Sequence, residues 1–452
     1  MHTLAHHLAE YAAGLDFARL PPVVVHEVKR RVIDSLGCAL GAWDAEPCAI
    51  ARRVASRYGA ERGATLWGTA HRAPPDWAAF ANGCLVRYLD FNDTYLSREP
   101  AHPSDNIPAA LAMAEAEGAS GRELITAIVL AYEVQCRLCD TASLRARGWD
   151  HVTYVAFSSA LAAARLLRLD VEKTRHAVNI AGVSAGSLRQ SRVGELSHWK
   201  AGTVAHAARR GVFAALLAAE GMTGPAPIFE GAMGFEKLVS QTALGGVALS
   251  HDDFMIMRTS IKASPAEYHS QSAIDAALRL RKQIGGAAAI ESVLVQSHDA
   301  AVDIIGSEPE KWRPQSRETA DHSLPYIVAA ALADGEITDR QFAPARFTDP
   351  ALLALVQRVK VERHAGLSAL YPGAVGNIVT VRLSDGRAFS ERVDHPLGHA
   401  QNPLTDTQLE AKFHALADAR LGAKRAAAVL ETAWSLDALT DLAVITRSLV
   451  PP

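Results

Sequence analysis

The 452-residue chain has little cysteine, few aromatic residues and no excess of charge of either sign. Five cysteines (Cys38, Cys48, Cys84, Cys136 and Cys139) are too few to staple so long a chain, which excludes a disulfide scaffold. Cys136 and Cys139 form a CxxC inside ELITAIVLAYEVQCRLC, but no second CxxC or nearby CxxH completes a zinc site. An iron–sulfur cluster would also need further positioned thiolates, so the pair reads as two partly buried helix cysteines. Lys and Arg total 46 against 49 Asp and Glu, a formal charge of −3, so no global basic field recruits nucleic acid. No apolar run is long enough to span a membrane. The opening MHTLAHHLAEYAAGL lacks the basic and apolar regions of a signal peptide, and a cytoplasmic location is the expectation. Walker A and GxGxxG sequences are missing too, which removes the usual nucleotide signatures.

What is present is ordinary for a globular enzyme: 49% hydrophobic and 21% charged residues, with length for more than one structural unit. Up to about residue 245 the pattern is helical. VVHEVKRRVIDSLGCALGAW, VAFSSALAAARLLRL and GTVAHAARRGVFAALLAAEGM repeat apolar residues at i, i+3 and i+4 in good helix formers. After that, SVLVQSH and RVKVERH alternate in the manner of strands. NIVTVRL and AFSERVDHP flank an Asp385-Gly386 turn as a β-hairpin would. Helical patterning returns past Gly398. The expectation is a mostly α chain: a helical bundle domain over 1–245, an inserted α+β lid domain over 246–397, and C-terminal helices over 398–452 that return to the bundle. A cleft between the two domains is the natural place for a site.

Two motifs are formal matches only. Gly182-Val183-Ser184-Ala185-Gly186 fits GxSxG, yet the preceding EKTRHAVNIA is helical, whereas a nucleophile elbow needs a strand there. His395 and His399 are separated by Pro396 and Gly398, which forbid a helical HxxxH metal pair, and no metal site is expected.

The segment from Leu89 to Asn106 differs in kind. It collects Asp90, Asp93, Glu99 and Asp105 with Asn92, Thr94 and His102, and Pro100 and Pro103 break any helix. Such residues suit proton transfer and polar-ligand recognition on an ordered loop. Further polar groups interrupt helical contexts: Arg189 and Arg192, Lys200 and His206, then Lys262, Glu267 and His269 around Pro265, and finally Asp321, His322 and Tyr326. Together they form an inventory for binding a polycarboxylate and moving protons beside it.

VIDSLGCAL, NGCLVRYLDFNDT, AHPSDNIPAALA, GWDHV, WKAGTVAHAARRG, SPAEYHSQSAIDAA, RETADHSLPYIVA and DGRAFSERVDHPLGH together resemble the MmgE/PrpD family over nearly the whole chain. The family includes 2-methylcitrate dehydratases, cis-aconitate decarboxylase and iminodisuccinate epimerase. The resemblance implies a helical domain with a smaller α+β lid, a homodimer, and chemistry that needs no metal or cofactor. It implies active-site residues Asp90, Thr94, His102, His151 and Tyr326 for catalysis and Lys200 and Lys262 for substrate binding, with Asp93 and His269 as additions; the polar inventory adds Arg192 as a further carboxylate-binding residue. His102 is the expected proton-transfer residue, oriented by Asp90 or Asp93, with Tyr326 or His151 as partner acid and the two lysines clamping carboxylates. Glu267 stands where the decarboxylase branch carries histidine, and Ala266-Glu267-Tyr268-His269 matches the dehydratase pattern. Lys262 lies one position nearer Pro265-Ala266-Glu267 than that pattern places it. The implied reaction is dehydration of a 2-hydroxy tricarboxylate such as 2-methylcitrate; the alternative is epimerisation or decarboxylation of a related di- or tricarboxylate.

Overall fold

The computed structural model describes residues 3–451, and two principal hydrophobic cores organise them. The first draws on residues from Leu4 to Ile261 and again from Leu404 to Leu449; the second lies between Ala266 and Val393. The larger body is a pile of helices. Its central helix, Gly121–Thr141, starts at a Ser120–Glu123 capping box and is buried on nearly every side. Trp199–Ala219 packs against Pro75–Tyr88 and Thr153–Leu166 through alanines and glycines. A Cβ on Gly211 would stand 2.5 Å from the Ala156 carbonyl oxygen, so only glycine permits this approach. Lys200 lies in the first turn of this helix.

A two-residue ribbon, β1 (Ala64–Thr65) and β2 (Arg72–Ala73), is the only sheet of the larger body among the described residues. The smaller body holds β3 (Ile290–Ser297), β4 (Val359–Arg363), β5 (Asn377–Leu383) and β6 (Ala388–Val393), in the order β4-β3-β5-β6. β3 and β4 run parallel, with Val295 opposite Val361; the other pairings are antiparallel. Val293 and Val295 of β3 and Val379 and Val381 of β5 all point into the core, as their alternation dictates. Gly386, at φ +88°, makes the tight turn between β5 and β6. Helices Gln271–Ile284 and Leu324–Asp334 pack together, the first against β5 and β6. The second, LPYIVAAALAD, is apolar all round and accordingly buried.

The C-terminal helix Asp406–Leu421 packs against Pro22–Gly41 of the larger body. Cys136 and Cys139 are free and buried on their helix. Ser184 ends the helix Val171–Ser184, so no strand leads into it. No helix among the described residues is long and apolar enough to cross a membrane.

Candidate active site

The polar segment after helix Pro75–Tyr88 is drawn against the chain around Ser260. Thr94 and Ser260 exchange two backbone hydrogen bonds, each 2.8 Å, which brings Lys262 beneath Asp90. Asp90 itself sits at φ +51°, a left-handed conformation costing a non-glycine residue about 1–3 kcal/mol. Its surroundings hold it there. Lys262 Nζ donates to the Asp90 carbonyl oxygen at 2.7 Å and to its carboxylate. Arg87, one helical turn earlier, reaches Asp90 Oδ1 at 2.9 Å, and Lys200 Nζ reaches Oδ2 at 3.1 Å. Burial pushes the Asp90 carboxyl up, but Arg87, Lys262, Lys200 and His322 outweigh it and hold it well below the usual carboxylate range. Burial pulls the Lys262 ammonium down, with Asp90 opposing.

Asp321 completes this cluster from the smaller body. Lys200 Nζ lies 2.9 Å from Asp321 Oδ1, Arg317 lies 3.2 Å from Oδ2, and His322 Nδ1 donates to Oδ1 at 2.6 Å. Asp90, Asp321 and His322 have metal-site spacing. Their oxygens, however, are already held by Arg87, Lys200, Lys262 and Arg317, and a dication would enter among four cations. The donor set does not suit a metal.

Above this floor opens a cleft walled by residues of both bodies. Thr94, His102, His151 and Arg192 line it from the larger body, and Glu267, His269 and His322 from the smaller. His102 Nδ1 lies 2.6 Å from the Asp93 carbonyl oxygen and 3.2 Å from Thr94 Oγ1. A carbonyl only accepts, so Nδ1 carries the proton and Nε2 the lone pair. Burial, together with the charges of Arg87 and Lys262, holds His102 well below its ordinary value despite Asp90, and its ring is neutral at pH 7. His151, 5.7 Å away ring to ring, donates from Nδ1 to Asp150 Oδ1 at 2.9 Å; its Nε2 is buried without a partner. Burial lowers His151 too, with Asp150 pulling the other way. Arg192 gives Nε to Asp150 Oδ2 at 3.0 Å, while both terminal nitrogens are buried and unpaired. His269 donates to Glu267 Oε1 at 2.6 Å; burial raises Glu267, but His269, His322 and Lys262 bring it to about 2.

Three expectations are corrected. Tyr326 is absent from the cleft: it is fully buried in the smaller body's core and its hydroxyl donates to the Gln341 carbonyl. It stands in the first turn of the apolar helix, its N–H capped by the Ser323 hydroxyl, but its ring points into the core, and His322 takes the place facing Asp90. The Asp93 carboxylate accepts from the Ser104 N–H at 2.9 Å and the Tyr132 hydroxyl at 2.7 Å, so only the Asp93 backbone orients His102. Lys200 and Lys262 are spent on Asp90 and Asp321 beneath the cleft and do not line it, so neither is placed to clamp a carboxylate directly. The structure brings Asp90, Thr94, His102, His151, Arg192 and His269 together at the cleft. Sequence reasoning missed Arg87 and Asp150. Arg87 has a signal, since a cation three residues before an acid across a helix end can pair with it; Asp150 stands next to His151 in WDHV but had no visible second partner.

Residues 6–244 match the MmgE/PrpD N-terminal domain and residues 264–437 the MmgE/PrpD C-terminal domain. The chain is 31% identical to the 2-methylcitrate dehydratase of Escherichia coli K12 over 396 residues, 82% of this chain and 81% of that protein. It is similarly 31% identical to the 2-methylcitrate dehydratase of Cupriavidus necator over 394 residues, 81% of this chain and 80% of that protein. The human cis-aconitate decarboxylase is 29% identical over 467 aligned residues, covering 97% of this chain and 93% of that protein.

Proposed function

The chain belongs to the MmgE/PrpD family, and from that premise we propose that it is a lyase that dehydrates a 2-hydroxy tricarboxylate such as 2-methylcitrate without a cofactor. The observation that carries this reading is the Arg192 fork: two buried, unpaired guanidinium nitrogens in the same cleft as the imidazoles of His102 and His151. A planar fork of this kind suits a carboxylate, and an unpaired buried donor gains most from one.

Dehydration removes a proton beside a carboxylate and expels a hydroxyl. The carbanion-like charge needs preorganised positive potential, worth about 3–4 kcal/mol per well-aimed donor. Arg192 supplies donors at the wall, and the floor adds four cations against the carboxylates of Asp90 and Asp321. His102 Nε2 takes the proton from carbon. A bound polyanion favours imidazolium, so one histidine of the cleft gains a proton with the substrate and can protonate the departing hydroxyl.

Decarboxylation is the second reading, favoured by the near-complete span of the match to cis-aconitate decarboxylase. Purified, EDTA-treated protein should raise alkene absorbance with 2-methylcitrate. Carbon dioxide released from cis-aconitate, with no alkene formed from 2-methylcitrate, would replace the first reading by the second. We propose a homodimer as well; exposed Val183, Phe213 and Met233 support it, and sedimentation should report twice the chain mass.

A further inference from the structure

Three imidazoles in the cleft donate Nδ1 to a carboxylate: His151 to Asp150, His269 to Glu267 and His322 to Asp321. Their Nε2 atoms differ. His322 Nε2 lies 3.4 Å from Asp90 Oδ2, with Lys200 Nζ 3.1 Å from its other nitrogen. His269 Nε2 lies 3.4 Å from the Tyr371 hydroxyl. His151 Nε2 alone of the three is buried with no partner, so it is free to meet a ligand. Asp150 is fully occupied on both sides. Oδ1 receives His151 Nδ1 at 2.9 Å; Oδ2 receives Arg192 Nε at 3.0 Å and the Ser191 hydroxyl at 2.7 Å.

We propose that Asp150 is a positioning residue that makes His151 the proton donor of the site while aiming Arg192 at a substrate carboxylate. The two facing imidazoles differ in what lies behind Nδ1. His102 has a neutral carbonyl behind Nδ1, whereas His151 has a carboxylate, and a carboxylate favours imidazolium where a carbonyl does so far less. Pairs whose environments separate their proton affinities divide the acid and base roles. The charged and titratable groups acting on His151 are Asp150, Arg192, Arg87 and His102. Arg192 and Arg87 oppose its protonation in the empty cleft; an anion on Arg192 relieves that opposition. Binding and proton uptake are thereby linked through one carboxylate. In turnover His102 Nε2 takes the carbon-bound proton, the C–H electron pair becomes the double bond, and the C–O pair leaves with the oxygen. His151 Nε2 gives that oxygen its proton, and water departs.

This assignment rests on the carboxylate-lyase reading, and its test uses tricarballylate, which has no hydroxyl to lose. Calorimetry of tricarballylate binding at pH 7, in two buffers of different ionisation enthalpy, counts protons taken up. The unaltered protein should gain up to one proton per site. Asp150→Asn should lose the uptake and bind roughly 10-fold more weakly, the scale expected for removing a supporting partner. His151→Gln should lose the uptake and His102→Gln should keep it, so the comparison stands even if Asp150→Asn fails to fold. Uptake retained in Asp150→Asn or His151→Gln, or lost in His102→Gln, overturns the assignment while leaving the carboxylate reading intact. No tricarballylate binding by the unaltered protein overturns both.

Discussion

Lys200 Nζ lies 2.9 Å from Asp321 Oδ1, an ion pair joining the first turn of a helix in the larger body to the smaller body. A cation at a helix N-terminus opposes the helix dipole, and the carboxylates of Asp321 and Asp90 offset that cost. The pair therefore holds the two walls of the cleft together from beneath. Lys200→Met should lower stability by about 3 kcal/mol, the low end for breaking a buried pair, because each carboxylate keeps another cation. Urea unfolding measures this, and a loss under 1 kcal/mol would remove Lys200 from that role.

His102→Gln should cut turnover by roughly 100- to 10,000-fold, the range for a lost general base. Its unfolding midpoint should change little, since glutamine can still donate towards the Asp93 carbonyl. Full activity would take His102 out of the reaction.

Tyr326→Phe separates a structural tyrosine from a catalytic one. Only the bond to the Gln341 carbonyl is lost, so stability should fall by about 1 kcal/mol with turnover within a few-fold of the unaltered protein. A 100-fold loss of turnover would return Tyr326 to the site.

His298, buried beside His269, is pulled from the ordinary 6.5 down to about 3, first by burial and then by the neighbouring imidazole. Between those values the unfolded chain binds a proton that the native protein refuses. The stability is thus complete above pH 6.5 and is lost as pH falls towards 3, by about 1.4 kcal/mol per unit. Urea unfolding at pH 6.5 and pH 5 should show about 2 kcal/mol more loss in the unaltered protein than in His298→Asn. Equal losses would contradict the buried neutral ring.

Lys412 donates to the Phe91 carbonyl at 2.8 Å and the Lys262 carbonyl at 2.9 Å, and pairs with buried Asp34 at 2.6 Å. All three ammonium protons are used to fix the backbone beside Asp90 and Lys262. Lys412→Met should destabilise by about 3–5 kcal/mol by leaving Asp34 uncompensated, seen as a fall in Tm. An unchanged Tm would show that the C-terminal helix does not brace the site.

Local sequence pattern specified the class of architecture and supplied the polar residues that line the cleft. Alternation in SVLVQSH and NIVTVRL specified strands, and the 3.6-residue periodicity of the alanine-rich segments specified helices, because those patterns are imposed by local geometry. The proline-broken acidic run announced a loop that carries Asp90, Thr94 and His102 to the cleft. Tertiary structure decided which polar groups face a ligand and which face one another. Lys200 and Lys262 read as free cations until folding set two carboxylates against them, and Tyr326 read as a proton donor until its helix turned it into the core. Asp150 gained meaning only when Arg192, over forty residues further on, arrived at its second oxygen. Pairing of charges across such separations depends on three-dimensional distance, which local pattern does not encode.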